Sequence, residues 1–71
     1  MSTEIIAPMT GKIISIALKV GDKVSADDEV IIMDAMKMEI PVYAPESGTI
    51  KEIKVKEGDS VKTDQVLIIL E

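Results

Sequence analysis

The chain has 71 residues, thirteen Asp and Glu against eight Lys, a net charge of −5, and neither Cys nor His. A chain of that length makes one small domain, residues 1–71, and the missing residue types exclude disulfides, thiol nucleophiles, histidine general bases and histidine metal ligands. Acid in both halves leaves no basic patch for nucleic acid or anionic lipid, no stretch is long enough to span a membrane, and Met1-Ser2-Thr3-Glu4 is no signal peptide, so a cytoplasmic monomer is expected.

Twelve Ile and seven Val dominate the apolar set, with one Tyr and no Phe or Trp, and branched aliphatics at this density favour strands. Glu4 to Ala7 reads as a short strand stopped by Pro8, which cannot donate to a ladder. Pro8-Met9-Thr10-Gly11 reads as a turn with Gly11 available for positive φ. The first long strand is predicted over Gly11 to Leu18. Ile14, Ile16 and Leu18 share one face and Ile13 falls on the other, while further on Ile50 is likewise out of phase with Ile53 and Val55. The same slip in two places predicts a bulge that lets a small sheet curl over its core. Gly21-Asp22 and Gly58-Asp59 are turns, and the isolated Val24 and Val61 anchor short edge segments. Asp27-Asp28 and Asp64-Gln65 turn the chain again, into the apolar runs Val30–Met33 and Val66–Leu70, which read as core strands. A fifth strand is predicted from Lys37 to Val42. Gly or Pro interrupts every window long enough for a helix, so the fold class is all-β, a sandwich or flattened barrel of about eight short strands.

These elements form an internal repeat. Residues 6–34 align with 43–71 at a constant offset of 37, without a gap: Ala7-Pro8 with Ala44-Pro45, Gly11 with Gly48, Lys19-x-Gly21-Asp22-x-Val24 with Lys56-x-Gly58-Asp59-x-Val61, and the closing acids Asp34 with Glu71. Neither copy is long enough to bury a core alone, so the two are expected to pack face to face around a two-fold axis. The axis relates the joining segment, 35–42, to the open join between the termini. Both termini are therefore expected at one end and Lys37 at the other.

Asp34-Ala35-Met36-Lys37-Met38-Glu39 holds no Gly, Asn or Pro to announce a turn. A two-residue hairpin tipped by Met36 and Lys37 would oppose Ala35 to Met38, Asp34 to Glu39 and Met33 to Ile40. That register sets two acids against each other and demands positive φ at non-glycine residues, where hairpins normally use Asn-Gly. A lone exposed lysine is usually a solvated charge and a methionine usually fills core, but local rules broken together at one exposed point indicate a functional site. Asp34 and Glu39 could also be read as an acid/base pair, although a convex tip offers no pocket to tune them.

Ala35-Met36-Lys37-Met38, set between the two copies, resembles the attachment motif of the biotinyl domain family, the biotin carboxyl carrier proteins. The resemblance extends to Pro-x-x-Gly at 8–11, Gly21-Asp22-x-Val24, Asp34, Glu39, Ala-Pro-x-x-Gly at 44–48 and Gly58-Asp59-x-Val61. It implies a flattened barrel of two four-stranded antiparallel sheets with quasi-two-fold symmetry. It implies that Lys37 is acylated on its ε-amine by a biotin protein ligase using biotin and ATP, with Ala35, Met36, Met38 and Glu39 as the flanking motif. It further implies a carrier rather than an enzyme, with biotin loaded by a biotin carboxylase and unloaded by a carboxyltransferase or decarboxylase subunit. Lipoyl domains resemble the chain in outline but generally carry Asp-Lys-Ala at the tip, and an unmodified interaction module would leave both methionines without a role. Some acetyl-CoA carboxylase carriers, the enterobacterial type, insert a protruding thumb that breaks the symmetry of the halves. The gapless repeat leaves no room for one, which makes the chain more similar to thumbless carriers of decarboxylases, transcarboxylases and pyruvate carboxylase, though thumbless acetyl-CoA carboxylase carriers also exist.

Overall fold

The computed structural model describes residues 2–71, and eight strands account for the regular structure in them. These are β1 (Thr3–Ile6), β2 (Gly11–Ile16), β3 (Lys23–Val24), β4 (Glu29–Ala35), β5 (Met38–Tyr43), β6 (Gly48–Ile53), β7 (Ser60–Val61) and β8 (Val66–Leu70). They build two four-stranded antiparallel sheets, ordered β1-β8-β6-β3 and β5-β4-β2-β7. The first is called here the terminal sheet and the second the hairpin sheet. Shifting each strand to its counterpart 37 residues away carries one order onto the other, so the expected quasi-two-fold is present. No helix long and apolar enough to cross a membrane occurs among the described residues.

The copies do not pack face to face as two separate layers, as the repeat alone led us to expect. Each sheet takes two strands from each copy: β1 and β3 of the first copy flank β8 and β6 of the second. The exchange is fixed by the turns. Gly21 donates its N–H to the carbonyl of Ile50 at 2.8 Å, and its counterpart Gly58 donates to Ile13 at 2.7 Å. Asp27 and Asp64 donate in the same paired way to Ala44 and Ala7, both at 2.9 Å. Gly21 and Gly58 have φ of 95° and 94°, where glycine carries no Cβ penalty. Asp27 and Asp64 sit at 70° and 68°, a conformation aspartate tolerates better than most residues.

The strand bends appear where the phase slips are. The register shifts between Ile13 and Ser15 against β4, and between Ile50 and Glu52 against β8. Each bulge turns both flanking isoleucines inward: Ile13 and Ile50 are fully buried, while Ile16 and Ile53 pack against the core from its edge. Leu18 lies past the end of β2 yet still packs on the core. Val24 and Val61, alone in their two-residue edge strands, are buried. The β5 edge accommodates Pro41, whose missing N–H is harmless there. Tip and termini are symmetry counterparts, since Met33 opposite Ile40 corresponds to Leu70 opposite Thr3. The long axis of 33 Å, against 18 Å in the other two directions, separates them.

Candidate functional site

The strands β4 and β5 meet in a two-residue turn at Met36 and Lys37, with Ala35 opposite Met38, Asp34 opposite Glu39 and Met33 opposite Ile40. Both turn residues have positive φ, 53° at Met36 and 64° at Lys37, the signature of a type I′ hairpin. Neither is Gly, Asn or Asp, so the chain holds a strained conformation there without the residues that relieve it, as is common at functional sites. What over-determines the turn is its base. Met33 and Ala35 are buried in the core, fixing the register from inside.

Outside the base, Met36 is 79% exposed and Met38 64% exposed. These are values for methionines that fill no core. Lys37, Asp34 and Glu39 are also exposed. Among the described residues the one ion pair joins Lys54 to Glu52 at 3.1 Å, so no carboxylate holds the Lys37 ammonium. The two acids flank the hairpin on its outer face, and the shallow depression beside Asp34, between β2 and β7, is open to solvent. Nothing there encloses a reacting atom.

Gly11 is a participant whose part the sequence reading misassigned. It does not take positive φ, because among the described glycines only Gly21 and Gly58 do. It is glycine because β2 lies against the hairpin base. A Cβ at this position would sit 2.9 Å from Met33 Cε, 3.0 Å from Ala35 Cβ and closer still to the Asp34 carbonyl oxygen. A second unforeseen contact is the carboxylate of Glu57, which accepts the Ile16 N–H at 3.1 Å and so ties the turn before β7 to the end of β2. Its counterpart in the first copy is Val20, and that one difference between the copies was the available signal.

A family described as biotin-requiring enzymes matches residues 3–70. The chain belongs to that family. Over 38 residues, 54% of the chain and 26% of the relative, it is 53% identical to the gamma subunit of glutaconyl-CoA decarboxylase from Acidaminococcus fermentans. The chain thus spans a small part of the relatives it matches. Among solved structures, urea carboxylase from Kluyveromyces lactis aligns with all of the chain and 6% of its own length, with a TM-score of 0.93 and 34% identity. A single-chain, multi-domain long-chain acyl-CoA carboxylase aligns with 96% of the chain and 7% of its own length, with a TM-score of 0.89, and at 24% identity it supports the fold alone. The match is to a biotin-carrier domain, and the sequence expectation of a biotinyl barrel-sandwich stands.

Proposed function

We propose that Lys37 carries biotin in amide linkage on its Nζ, and that the chain is a carboxyl carrier within a biotin-dependent decarboxylase or carboxylase. The observation supporting this reading is the strained tip, which holds a lysine at the far end of the barrel, unpaired and flanked by two exposed methionines. The residues fit the group. Acylation needs an accessible primary amine, and no carboxylate lies within ion-pair distance of the exposed Lys37 Nζ to compete for it. When bound, biotin supplies the ring nitrogen that accepts and gives up a carboxyl group. Forming the amide removes one positive charge and takes the chain from −5 to −6. The barrel contributes a rigid base for the tether, raising the effective concentration at each partner site to the millimolar range, about 1 mM for a short flexible link. The decarboxylase-like stretch of 38 residues favours a decarboxylase as host assembly. A biotin protein ligase, a biotin carboxylase and a carboxyltransferase or decarboxylase subunit are then the partners.

The test is coexpression with a biotin protein ligase and biotin, read by intact mass and peptide mapping. One biotinyl group is expected, at Lys37 and at none of Lys12, Lys19, Lys23, Lys51, Lys54, Lys56 or Lys62. Lys37→Arg is expected to keep the fold and accept nothing, since a guanidinium stays protonated. Preferential lipoylation would move the chain to the lipoyl carriers, and no adduct with either active ligase would leave an unmodified interaction module.

A further inference from the structure

The quasi-two-fold offers an internal comparison, because the outer faces of the two sheets have the same backbone and different side chains. On the hairpin sheet, Ser15 and Pro41 lie opposite Ile32 on either side, and Ile14 is the extra residue of the bulge beside Ser15. Directly opposed residues share a face. With Ile31, Met33 and Val42 buried in the core, this row faces outward. Ile14 is 39% exposed, Ile32 and Pro41 are half-buried, and Tyr43, two residues along β5 from Pro41, is 52% exposed. On the terminal sheet the row is Glu52, Ile69 and Glu4, with Lys51 at the bulge, and Glu52 is further tied to Lys54. Charges thus guard the isoleucine on one sheet, while Ile14 and Pro41 leave it bare on the other. The terminal sheet keeps an apolar pair, Ile6 and Val66, one row further along, but its central row is charged.

We infer that the outer face of the hairpin sheet, centred on Ile14, Ile32, Pro41 and Tyr43, is the docking surface for the enzyme that acylates Lys37, and that this enzyme meets it with an apolar centre and a basic rim. The inference rests on the reading of Lys37 given above. Position selects the occupant. Pro41, on β5, is four residues on from Lys37 in the turn, at most about 13 Å at 3.3 Å per residue. An unmodified lysine reaches only about 6 Å from its Cα, so an enzyme acting on it must come right up to the hairpin and sit on the adjoining sheet. Enzymes served by the longer acylated arm need not. Charge selects the chemistry. Asp34 and Glu39 lie opposite each other in the row nearest the tip and Glu29 lies opposite Tyr43 at the far side, with Lys12 the one cation paired into these rows. A second copy of this chain would set those acids against its own.

The test gives the hairpin sheet the residues of the terminal sheet: Ile14→Lys with Pro41→Glu, matching Lys51 and Glu4. The counterpart positions show that the backbone carries these side chains, and Ile14→Lys alone serves if the double variant fails to melt cooperatively. Acylation by a biotin protein ligase with biotin and ATP is followed at varied carrier concentration. KM for the double variant is expected to rise about tenfold with kcat within about twofold, as for lost binding made equally in ground and transition states. The terminal-sheet control Lys51→Ile is expected to match the wild type. A wild type that accepts no biotin overturns the reading of Lys37 and this proposal together. A wild type acylated normally, with an unchanged KM for a folded double variant, overturns the docking surface alone. So does a concentration-dependent dimer of the wild type that the double variant abolishes, since the face would then belong to a second copy.

Discussion

Gly11 and Gly48 are counterparts in the repeat, yet they should respond differently to the same added methyl group. At Gly48 a Cβ would lie 3.3 Å from the Glu71 carbonyl oxygen and 3.4 Å from Leu70 Cβ, contacts relieved by shifts of a few tenths of an ångström. At Gly11 it would overlap the Asp34 carbonyl oxygen and press on Met33 Cε at 2.9 Å and Ala35 Cβ at 3.0 Å. Two of those three atoms are backbone or Cβ of a central strand and cannot swing away. Overpacking of that kind costs about 1–3 kcal/mol. Gly48→Ala should cost less than about 1 kcal/mol, and the smaller unfolded-state entropy of alanine offsets part of that. For a chain of this size a 2 kcal/mol difference separates melting temperatures by roughly 8–16 °C. Urea titrations of both variants, with m-values compared to the wild type to check two-state behaviour, read the difference. Equal midpoints would refute the claim that β2 is held against the hairpin base by the absence of a side chain at Gly11.

Gly21→Ala and Gly58→Ala should cost the same, about 1–2 kcal/mol each from backbone strain alone, because at both sites an added Cβ meets nothing within 4 Å; a neutral result at one and unfolding at the other would break the two-fold. Met36→Leu and Met38→Leu should leave stability within about 0.5 kcal/mol, as exposed changes do, and any loss should appear in acylation or carboxyl transfer, whereas a large drop in melting temperature would return them to the core. Replacing the tip by Asn-Gly, as Met36→Asn with Lys37→Gly, should raise stability by about 1 kcal/mol by relieving positive φ while abolishing biotinylation; an unchanged melting temperature would mean the turn is not strained. Glu57→Gln should keep the contact to the end of β2 while Glu57→Ala loses it at a cost of about 1 kcal/mol, with hydrogen exchange at the Ile16 amide as the readout.

Strand number and the paired bulges were legible because each was written twice, and the hairpin register followed from setting Met36 and Lys37 at the tip between the copies. One aberrant isoleucine phase is noise, but Ile13 and Ile50 slip together at the same distance from Gly11 and Gly48. The interleaving of copies was not legible. Apolar periodicity says which residues of β8 face inward, and it is silent on whether their neighbour is β6 or a strand of the other copy. Gly11 was misread for a related reason: positive φ is a local property that a turn motif suggests, while close approach depends on a carbonyl 23 residues away. Asp27 and Asp64 hid in the same way, since aspartate signals a turn without specifying which residue of it goes left-handed.

A fold built twice from one pattern also separates what the barrel requires from what the carrier requires. Positions that agree across the offset, such as Gly21 with Gly58 and Ala7 with Ala44, hold turns and crossing contacts that both halves need. Where the copies disagree, the backbone itself does not dictate the choice, because it accepts either residue. Met36 and Lys37 lie in the segment that joins the copies, outside the aligned residues 6–34 and 43–71, so no demand of the repeat put a strained, exposed turn there. The same reasoning applies to Ile14 and Pro41, whose partners are Lys51 and Glu4. An apolar residue on an outer face costs solubility, and the terminal sheet shows that charges fit. The apolar departures at Ile14 and Pro41 therefore lie on the same sheet as the lysine tip, and a partner working at Lys37, as proposed above, would account for both.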